Sequence, residues 1–440
     1  MAIFPKRILQ EMLNQNAHFL SEKQLREHVN KLNKGCIYSL STEWETVILN
    51  TFSKIGHVQY EQSFGGNRFA DLFFKSKDEP NISFLADITT VSDRGYEEDN
   101  PVKAFVDETE RILKKNGIKL GGMHYEIESI KGKRGMKLKI PPKGQFDIFF
   151  NSFEFTDFTA RIKKNPIAQH ALHFISKEAE VKLFYNPQTK YISLHHASYD
   201  TAHSIKNNPV YNTLKSKAEQ LKKTGYGGIL AIFICDGGCS ILNSNFKDWQ
   251  SYNLDSIISE FYRQYSSIRF ILAFTVKEMP HTFFNIKRNK IVEAKLFSNP
   301  IFEIPQTLLD NLNKFVAHLP IPVNTVINAA HKVSNRLEKQ GSSFYGGSTM
   351  TSKTIKISSR GLLELLSGRI EQKKFLQDHC FIPTSERPTD RNPFDLKLNE
   401  GKLISNIWVE KSVNNDDDWI VFEFGKTDPA IFRFINPSEK

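Results

Sequence analysis

Cysteine is scarce in this chain, which has four among its 440 residues. Their wide spacing provides no disulfide framework, which excludes the small secreted proteins that depend on disulfides. Cys235 and Cys239 flank Asp236-Gly237-Gly238 at the end of an apolar run, but no second pair of zinc ligands follows nearby. We therefore predict a strand that ends in a Gly-Gly turn, within a reduced, cytoplasmic protein.

Long apolar runs are also missing. The longest, from Ile229 to Cys235, is far shorter than the roughly 20 residues that a transmembrane helix requires. The first residues, Met1 to Arg7, have no signal-peptide pattern. Walker-type phosphate loops, nucleophile elbows and zinc-finger spacings do not occur. We expect no membrane partner, and these absences exclude the commonest motifs of nucleotide and ester hydrolysis.

Basic residues exceed acidic ones, 59 to 49, and the net charge of +10 suits a polyanionic partner such as nucleic acid. A segment between Ser129 and Gly144 contains basic residues and no acid. Its basic side chains are Lys131, Lys133, Arg134, Lys137, Lys139 and Lys143. We predict that this segment contacts the phosphates of a nucleic acid. An ordinary solvated basic loop is the alternative.

The predicted fold class is α/β, with a mixed central sheet flanked by helices and a small C-terminal α+β domain. The pattern divides the chain into a helical N-terminal segment (1–40), an α/β domain (41–300) with a long insertion at about 118–207, a helical connector (301–340), a small polar linker (341–353) and the C-terminal domain (354–440). Phenylalanine, with 35 residues, predicts a core rich in aromatic packing.

Apolar periodicity predicts the individual elements of these domains. Predicted helices cover the residues around Glu45 up to Gly56, then 101–115, 209–223, 254–265, 306–339 and 360–378. Predicted strands cover 58–63, 69–75, 83–91, 146–150, 180–185, 191–197, 229–235, 268–276, 403–411 and 418–424. Residues 186–189 are expected to join two of these strands as a hairpin.

Three carboxylates in the first fifth of the chain are the candidate site. Glu45 lies on the first helix of the α/β domain, and Asp71 and Asp87 lie in short apolar runs that read as paired strands. Carboxylates that share a site repel one another unless a cation neutralises them. The trio therefore indicates a metal site. Caps, surface ion pairs and a solvated helix face are the alternative explanations.

The predicted elements follow one another in the order helix with Trp44-Glu45, strand with Asp71, strand with Asp87-Ile88-Thr89, helix and strand. This order resembles the core of the PD-(D/E)xK, or restriction-endonuclease-like, nuclease superfamily. The resemblance covers about residues 41–276, with the long insertion inside it. It implies a mixed sheet flanked by helices and metal-dependent hydrolysis of phosphodiester bonds, with DNA as the favoured substrate. By analogy it implies a role in microbial restriction or anti-phage defence, as a homo-oligomer or with a partner protein of such a system.

Carried to this sequence, the resemblance implies that Asp71 and Asp87 bind Mg²⁺, that the main-chain carbonyl of Ile88 adds a ligand, and that Glu45 reaches the metal or its water. Mn²⁺ is expected to substitute. Mg²⁺ favours oxygen ligands and keeps several waters, so two or three carboxylates suffice. The ion would lower the pKa of a bound water and offset the charge that develops on the phosphate.

Thr89 departs from the family pattern, which has a lysine two residues after the second acid. A threonine hydroxyl donates a hydrogen bond but carries no positive charge. A lysine from a neighbouring helix could supply that charge, and the candidates are Lys103, Lys215 and Lys217. Without such a lysine, the site would be slow, or the protein would bind nucleic acid without cutting it.

A second candidate site competes with the first. Glu180-Val181-Lys182 is a literal Glu-x-Lys on a predicted strand, and Asp147 precedes it. The long separation between Asp147 and Glu180 weighs against this site, and a Glu-x-Lys alternation is common by chance. His195 and His196 are adjacent on a predicted strand, so they point to opposite faces and cannot readily share one ion.

Overall fold

The computed structural model describes residues 3–33, 37–132, 136–199, 202, 204–243, 252–279, 290–329, 348–383, 389, 391–412 and 416–432. This part of the chain is mixed α/β, as predicted, and contains a six-stranded sheet, two four-stranded sheets and a two-stranded sheet. Within these residues no helix has both the length and the apolar character needed to span a membrane.

The helices, in chain order, are α1 (Lys6–Asn16), α2 (Glu22–Asn33), α3 (Ile37–Ile55), α4 (Arg94–Asp99), α5 (Val102–Lys115), α6 (Asp147–Phe150), α7 (Phe153–Lys164), α8 (Pro209–Lys222), α9 (Ser240–Asn243), α10 (Leu254–Gln264), α11 (Gln306–Ala317), α12 (Ser359–Leu366), α13 (Gln372–Asp378) and α14 (Pro393–Asn399). The strands are β1 (Gly56–Gln59), β2 (Leu72–Ser76), β3 (Ser83–Val91), β4 (Met123–Ile127), β5 (Ser129–Lys131), β6 (Met136–Leu138), β7 (His170–Ile175), β8 (Glu180–Tyr185), β9 (Ser193–His196), β10 (Ile229–Asp236), β11 (Ile268–Glu278), β12 (Lys290–Ser298), β13 (Ser348–Met350), β14 (Thr354–Ser358), β15 (Lys402–Glu410) and β16 (Trp419–Thr427).

The central sheet has the strand order β1-β2-β3-β10-β11-β12. The first three strands form an antiparallel meander, β10 and β11 run parallel to β3, and β12 is antiparallel at the far edge. Parallel neighbours need crossover connections, and α8 and α10 lie on those connections. The sheet is therefore mixed.

Helices cover both faces of this sheet. One hydrophobic cluster joins α1, α3 and α11 to one face, and a second joins α8 and α10 to the other. Phe52 of α3 lies in the middle of the first cluster, with its ring 4.1 Å from that of Phe315 and 5.0 Å from that of Phe74. Stacked and edge contacts of this kind add to the gain from burying the rings. The aromatic core predicted from composition is confirmed.

The insertion between β3 and α8 has a hydrophobic core of its own. A four-stranded sheet of order β7-β8-β4-β9 packs against helices α5, α6 and α7, and β5 and β6 form a separate ribbon. Phe105 of α5 is fully buried in this core. The unit therefore includes α5, which the sequence pattern assigned to the preceding domain.

The C-terminal unit is an antiparallel sheet of order β13-β14-β16-β15 with α12, α13 and α14 packed beside it. The predicted strands 403–411 and 418–424 correspond to β15 and β16. The predicted helix 360–378 is instead two helices, α12 and α13, because Gly368 adopts a positive φ of 70° between them. Residues 330–340 of the predicted connector and residues 341–347 of the linker lie outside the described residues.

Two other predictions in the insertion are wrong. Residues 146–150 are not a strand: Asp147 opens α6, whose one turn directs the adjacent rings of Phe149 and Phe150 into the same core. Residues 186–189 do not close a hairpin either. Asn186 donates to the carbonyl of Gly122 and Gly122 donates to that of Tyr191, so the chain crosses β4 and β9 pairs with β4 in parallel.

Candidate active site

The alternation of β3 places Asp87 on the face of the sheet that α8 covers. Phe84, Ala86 and Ile88 belong to the cluster under α3, whereas Leu85 and Val91 belong to the cluster under α8. Side chains of a strand point to opposite faces in turn. Asp87 and Thr89 therefore share the α8 face with Leu85, and Asp87 is fully buried where the pattern would allow an apolar residue.

Asp71 immediately precedes β2, the antiparallel neighbour of β3. Hydrogen bonds from main-chain N–H groups to the two carboxylates link it to Asp87. The main-chain N–H of Ile88 donates to Oδ2 of Asp71 at 2.8 Å, and the N–H of Asp71 donates to Oδ1 of Asp87 at 3.3 Å. These reciprocal bonds hold both carboxyl groups on rigid strands. The prediction that strand pairing brings these two acids together is confirmed.

Lys217 of α8 lies over this pair of acids. Its Nζ is 3.7 Å from Oδ2 of Asp87 and 3.9 Å from Oδ2 of Asp71. Gln220, one turn further along α8, accepts a hydrogen bond from Lys217 at 3.2 Å and donates one to Asp87 at 3.4 Å. Of the three lysines considered as a substitute for the missing family lysine, Lys217 is the one that reaches the acids; Lys103 and Lys215 are exposed.

Glu45 faces the same site from α3, and two residues outside the carboxylate trio hold it. The hydroxyl of Tyr60 donates to Oε1 of Glu45 at 2.8 Å. Nε2 of His28, on α2, lies 3.8 Å from Oε2 of Glu45 and 3.4 Å from the hydroxyl of Tyr60. Burial, with the charge of Lys31 as a second cause, lowers the pKa of His28 to about 4, so His28 is neutral at pH 7 and forms no ion pair with Glu45 there.

The pKa values of all three carboxyl groups are raised. Burial is the largest cause and raises the pKa of Asp87 to about 7, with the charge of Asp71 adding to it and that of Lys217 opposing it. Burial likewise raises the pKa of Asp71 to about 6, opposed by Lys217 and supported by Glu45. Burial also raises the pKa of Glu45, while the hydrogen bond from Tyr60 lowers it. The three acids and Lys217 therefore form one electrostatic unit.

Asp87 also has an unused acceptor. Its Oδ2 is buried and has no hydrogen-bond partner, because 3.7 Å to Lys217 is beyond hydrogen-bonding distance. Asp236, another buried carboxylate, has both oxygens satisfied: Oδ1 by the N–H groups of Gly238 and Cys239, and Oδ2 by the hydroxyl of Thr275. A buried carboxylate oxygen without a partner is costly. Asp236 is thus a structural acid, whereas Oδ2 of Asp87 is an acceptor without a partner among the described residues.

A divalent cation fits these residues in part. Glu45, Asp71, Asp87 and Lys217 together carry a formal charge of −2 when all are ionised. Among the described residues there is no group of three or more His, Cys, Asp or Glu arranged to hold a metal ion. A site for Mg²⁺ would therefore have few protein ligands, Asp71 and Asp87 with the carbonyl of Ile88, and would leave the remaining positions to water, as Mg²⁺ commonly does.

The second candidate site is not assembled around a shared point. Glu180 lies on β8, where its carboxylate is 2.9 Å from Nζ of Lys139. Lys182, two residues on, lies 3.4 Å from Glu128. Asp147 lies on α6, and its side chain is exposed. The hydrogen bond with Lys139 lowers the pKa of Glu180, as in an ordinary ion pair. Glu180 and Lys182 therefore form ion pairs with different partners and do not form a shared site.

The basic segment is partly described. Lys131 ends β5 and Lys137 lies on β6, so these two residues belong to a short antiparallel ribbon. Lys139 pairs with Glu180 and is therefore committed to a contact within the insertion. Lys133 and Arg134 lie outside the described residues. Nothing in these contacts tests whether the ribbon binds nucleic acid.

Three residues of the site were not predicted from the sequence: His28, Tyr60 and Gln220. Each comes from a different element, and each lacks a local motif. Gln220 could have been found from the helical spacing that puts it one turn after Lys217, on the same face of α8. No comparable signal exists for His28 or Tyr60: His28 reaches Glu45 from α2, and Tyr60 reaches it from the bend that follows β1.

The comparisons with known proteins give this chain no relative. No family model, no curated protein and no solved structure matches it.

Proposed function

We propose that the chain is a Mg²⁺-dependent nuclease that hydrolyses phosphodiester bonds, with DNA as its substrate. The observation that carries the proposal is the set of Asp71, Asp87 and Lys217: two acids interlocked on neighbouring strands, with an ammonium group 3.9 and 3.7 Å from them. Buried charges on this scale destabilise a fold unless a ligand uses them.

The order of elements supports the same proposal. Helix α3, the meander β1-β2-β3, the crossover helix α8 and the parallel strand β10 follow the order of a restriction-endonuclease-like core. In that core the two acids come from the second and third strands of the meander; here Asp71 directly precedes β2 and Asp87 lies on β3. Thr89 lies where the lysine of that family stands, and Lys217 reaches the acids from α8 instead.

The position of each residue in the site suggests its role in the reaction. Asp71 and Asp87, with the carbonyl of Ile88, would hold Mg²⁺, which when bound activates a water and offsets charge on the phosphate. Lys217 would orient the attacking water and stabilise negative charge on the phosphoryl oxygens. Gln220 would fix the ammonium group through its hydrogen bond of 3.2 Å. Tyr60 would keep the Glu45 carboxylate aimed at the site, because its own pKa is raised and it stays protonated.

A cleavage assay tests the proposal. Purified chain is incubated with supercoiled plasmid, single-stranded DNA and RNA, in Mg²⁺, in Mn²⁺ and in EDTA. We expect the plasmid to be cut in either metal and to remain intact in EDTA. The variants Asp71→Asn and Asp87→Asn should abolish cutting while they keep the wild-type circular dichroism spectrum. Asp78→Ala, which removes an exposed carboxylate just after β2, is the matched control and should cut normally.

The other outcomes are informative too. Folded wild-type chain that cuts no nucleic acid in either metal contradicts the nuclease. If such a chain still binds DNA, the rival function, a non-catalytic nucleic-acid-binding or assembly subunit, takes its place. Loss of cutting in Glu180→Ala or Lys182→Ala, with activity kept in Asp87→Asn, would move the chemistry to the insertion. A role in restriction or anti-phage defence remains part of the proposal by analogy.

A further inference from the structure

Strand β15 is an edge strand with an unusual number of exposed apolar side chains. It is hydrogen-bonded to β16 along one side and ends the sheet order β13-β14-β16-β15 in the described part of the chain. Its large exposed apolar residues are Leu403, Ile404, Ile407, Trp408 and Val409. The side chain of Ile407 is 55% exposed and that of Val409 is 54% exposed.

Such an edge is costly to leave open. An edge strand presents unpaired N–H and C=O groups, and proteins usually protect long edges with charges, proline, bulges or a covering element. The middle of β15, from Leu403 to Val409, contains no charged residue and no proline. Its pairing with β16 is irregular around Ile404 and regular from Asn406 to Glu410. A strand that carries apolar side chains and has one unpaired edge is a template for another strand.

The sequence of β15 is nearly symmetric about its centre. Lys402 and Glu410 are the two ends, and Asn406 is the middle residue. Leu403 and Ile404 follow the first end, and Trp408 and Val409 precede the second. If β15 pairs antiparallel with the same strand of a second chain about Asn406, Lys402 of each copy faces Glu410 of the other. Leu403 then faces Val409, and Ile404 faces Trp408.

This register is complementary in charge at both ends and in polarity at every facing pair except Ser405 with Ile407. Opposite charges and large apolar residues that face one another across an antiparallel pair are stabilising, and like charges are not. A parallel pairing in register would instead place Lys402 opposite Lys402 and Glu410 opposite Glu410. Within one chain, Lys402 lies 2.8 Å from Glu400, and Glu410 lies 2.5 Å from Lys356. Pairing would therefore join these two ion pairs into a network at each end.

We propose that the chain forms a two-fold symmetric dimer through antiparallel pairing of β15 with β15 of a second copy, centred on Asn406. The two C-terminal sheets then become one continuous eight-stranded sheet. A two-fold axis uses the same surface on both copies and closes the assembly at two chains. This inference does not depend on the nuclease activity.

The oligomeric state of the full-length chain tests the proposal. Light scattering after size exclusion should give a mass of about twice the 50.6 kDa of one chain. Ile407→Lys and Val409→Lys each place a charge in the pairing edge and should weaken dimerisation by about tenfold or more. Leu366→Lys is the matched control: Leu366 is 74% exposed on α12 of the same unit, and its variant should stay dimeric. The thermal melt of each variant monitors folding.

A cysteine variant tests the register. Asn406→Cys places two sulfurs opposite each other at the two-fold axis, where paired Cβ atoms lie about 4.5–5.5 Å apart, and mild oxidation should give a disulfide-linked dimer. Ser367→Cys, exposed on the same unit, is the control and should not cross-link. A monomeric wild type, an open-ended assembly, a dimer that survives Ile407→Lys, or equal cross-linking of the two cysteine variants would each overturn the proposal.

Discussion

Buried acids in this protein differ in what their oxygens contact. Glu43 is buried, and its Oε2 accepts from the N–H groups of Ile3 and Phe4, which fixes the start of the chain. Asp87 is buried too, yet one of its oxygens has no hydrogen-bond partner. A fold tolerates such an atom where function requires it. The buried Oδ2 of Asp416 has no hydrogen-bond partner either. At the residue scale, the candidate site is therefore marked by the unsatisfied oxygen of Asp87 together with the charged groups of Asp71 and Lys217 beside it.

Asp87→Asn should stabilise the metal-free protein at neutral to alkaline pH. Burial holds the pKa of Asp87 at about 7, above its usual value of 3.8, so the folded state binds a proton more tightly than the unfolded state. The free energy of unfolding of the wild type therefore falls as pH rises from about 4 to about 7. Asparagine removes this loss, and we expect a gain of about 1–2 kcal/mol at pH 8.

Denaturant unfolding in EDTA at pH 4.5 and at pH 8 measures this effect. The gain should shrink at the lower pH, where the wild-type carboxyl is already protonated. Adding Mg²⁺ at pH 8 should stabilise the wild type and leave Asp87→Asn unchanged, because a ligand stabilises the state that binds it. If the variant is less stable than the wild type at pH 8 without metal, ionised Asp87 does not destabilise the folded protein, and this prediction is wrong.

Lys217→Ala should slow DNA cleavage by about 10²–10³-fold, the loss typical of one removed group that stabilises transition-state charge. The reason is its position 3.7 and 3.9 Å from the two acids. The rate is measured as initial nicking of plasmid under saturating Mg²⁺. Lys215→Ala removes an exposed lysine from the same helix and should cut at the wild-type rate. Equal rates for both variants would exclude Lys217 from the reaction.

At the scale of elements, the site depends on how closely α3, β1 and β2 pack. Gly56 joins α3 to β1, and a Cβ atom there would lie 2.1 Å from the ring of Phe74 and 2.6 Å from the carbonyl oxygen of Lys75. Phe74 is fully buried and packs against Phe52. A side chain at position 56 would therefore clash where α3, which carries Glu45, meets the strands of the central sheet.

Gly56→Ala should therefore destabilise the protein by about 1–3 kcal/mol, the usual cost of overpacking a core. Gly227→Ala is the matched control, because a Cβ atom at Gly227 would have no neighbour within 4 Å. Its effect should stay within about 0.5 kcal/mol. Urea unfolding of the two variants, followed by circular dichroism, makes the comparison. Similar midpoints for both would show that the junction at Gly56 has room to adjust.

Local patterns predicted the elements better than their partners. Strand β3 spans Ser83–Val91 and β8 spans Glu180–Tyr185, as predicted. The short apolar run marked β3, a central strand that is buried along most of its length, and burial at every second residue marks β8. Strand β1 stops at Gln59, short of the predicted residue 63, because Glu61 adopts a positive φ of 53°. The pairing of Asp71 with Asp87 followed from short-range strand order. Lys217 was one of three candidate lysines, since the docking of α8 depends on packing that no local pattern encodes.

At the scale of the whole molecule, the central unit, the insertion and the C-terminal unit each have hydrophobic packing of their own. Residues of α1 and α2 pack in the hydrophobic core of the central sheet. These two helices therefore belong to the α/β unit and do not form the separate N-terminal segment expected for residues 1–40. Arg7 at the start of α1 links this unit to the C-terminal one: its guanidinium is 2.9 Å from Asp418, and its N–H donates to Asp416. A half-exposed ion pair contributes little stability. The units therefore depend mainly on their own cores.

The insertion should fold on its own when it is excised as residues 100–199. Its core is closed by residues of its own chain, with Phe105 and Leu113 of α5 fully buried among the aromatic rings of α6 and α7. A domain of this size with one core normally unfolds in a single cooperative step. Fragment 118–199, which begins at the first boundary expected from the sequence (about 118–207), lacks α5 and should show no cooperative transition. Thermal unfolding of the two fragments by circular dichroism decides between the boundaries, because equal cooperative melts would place α5 outside the insertion core.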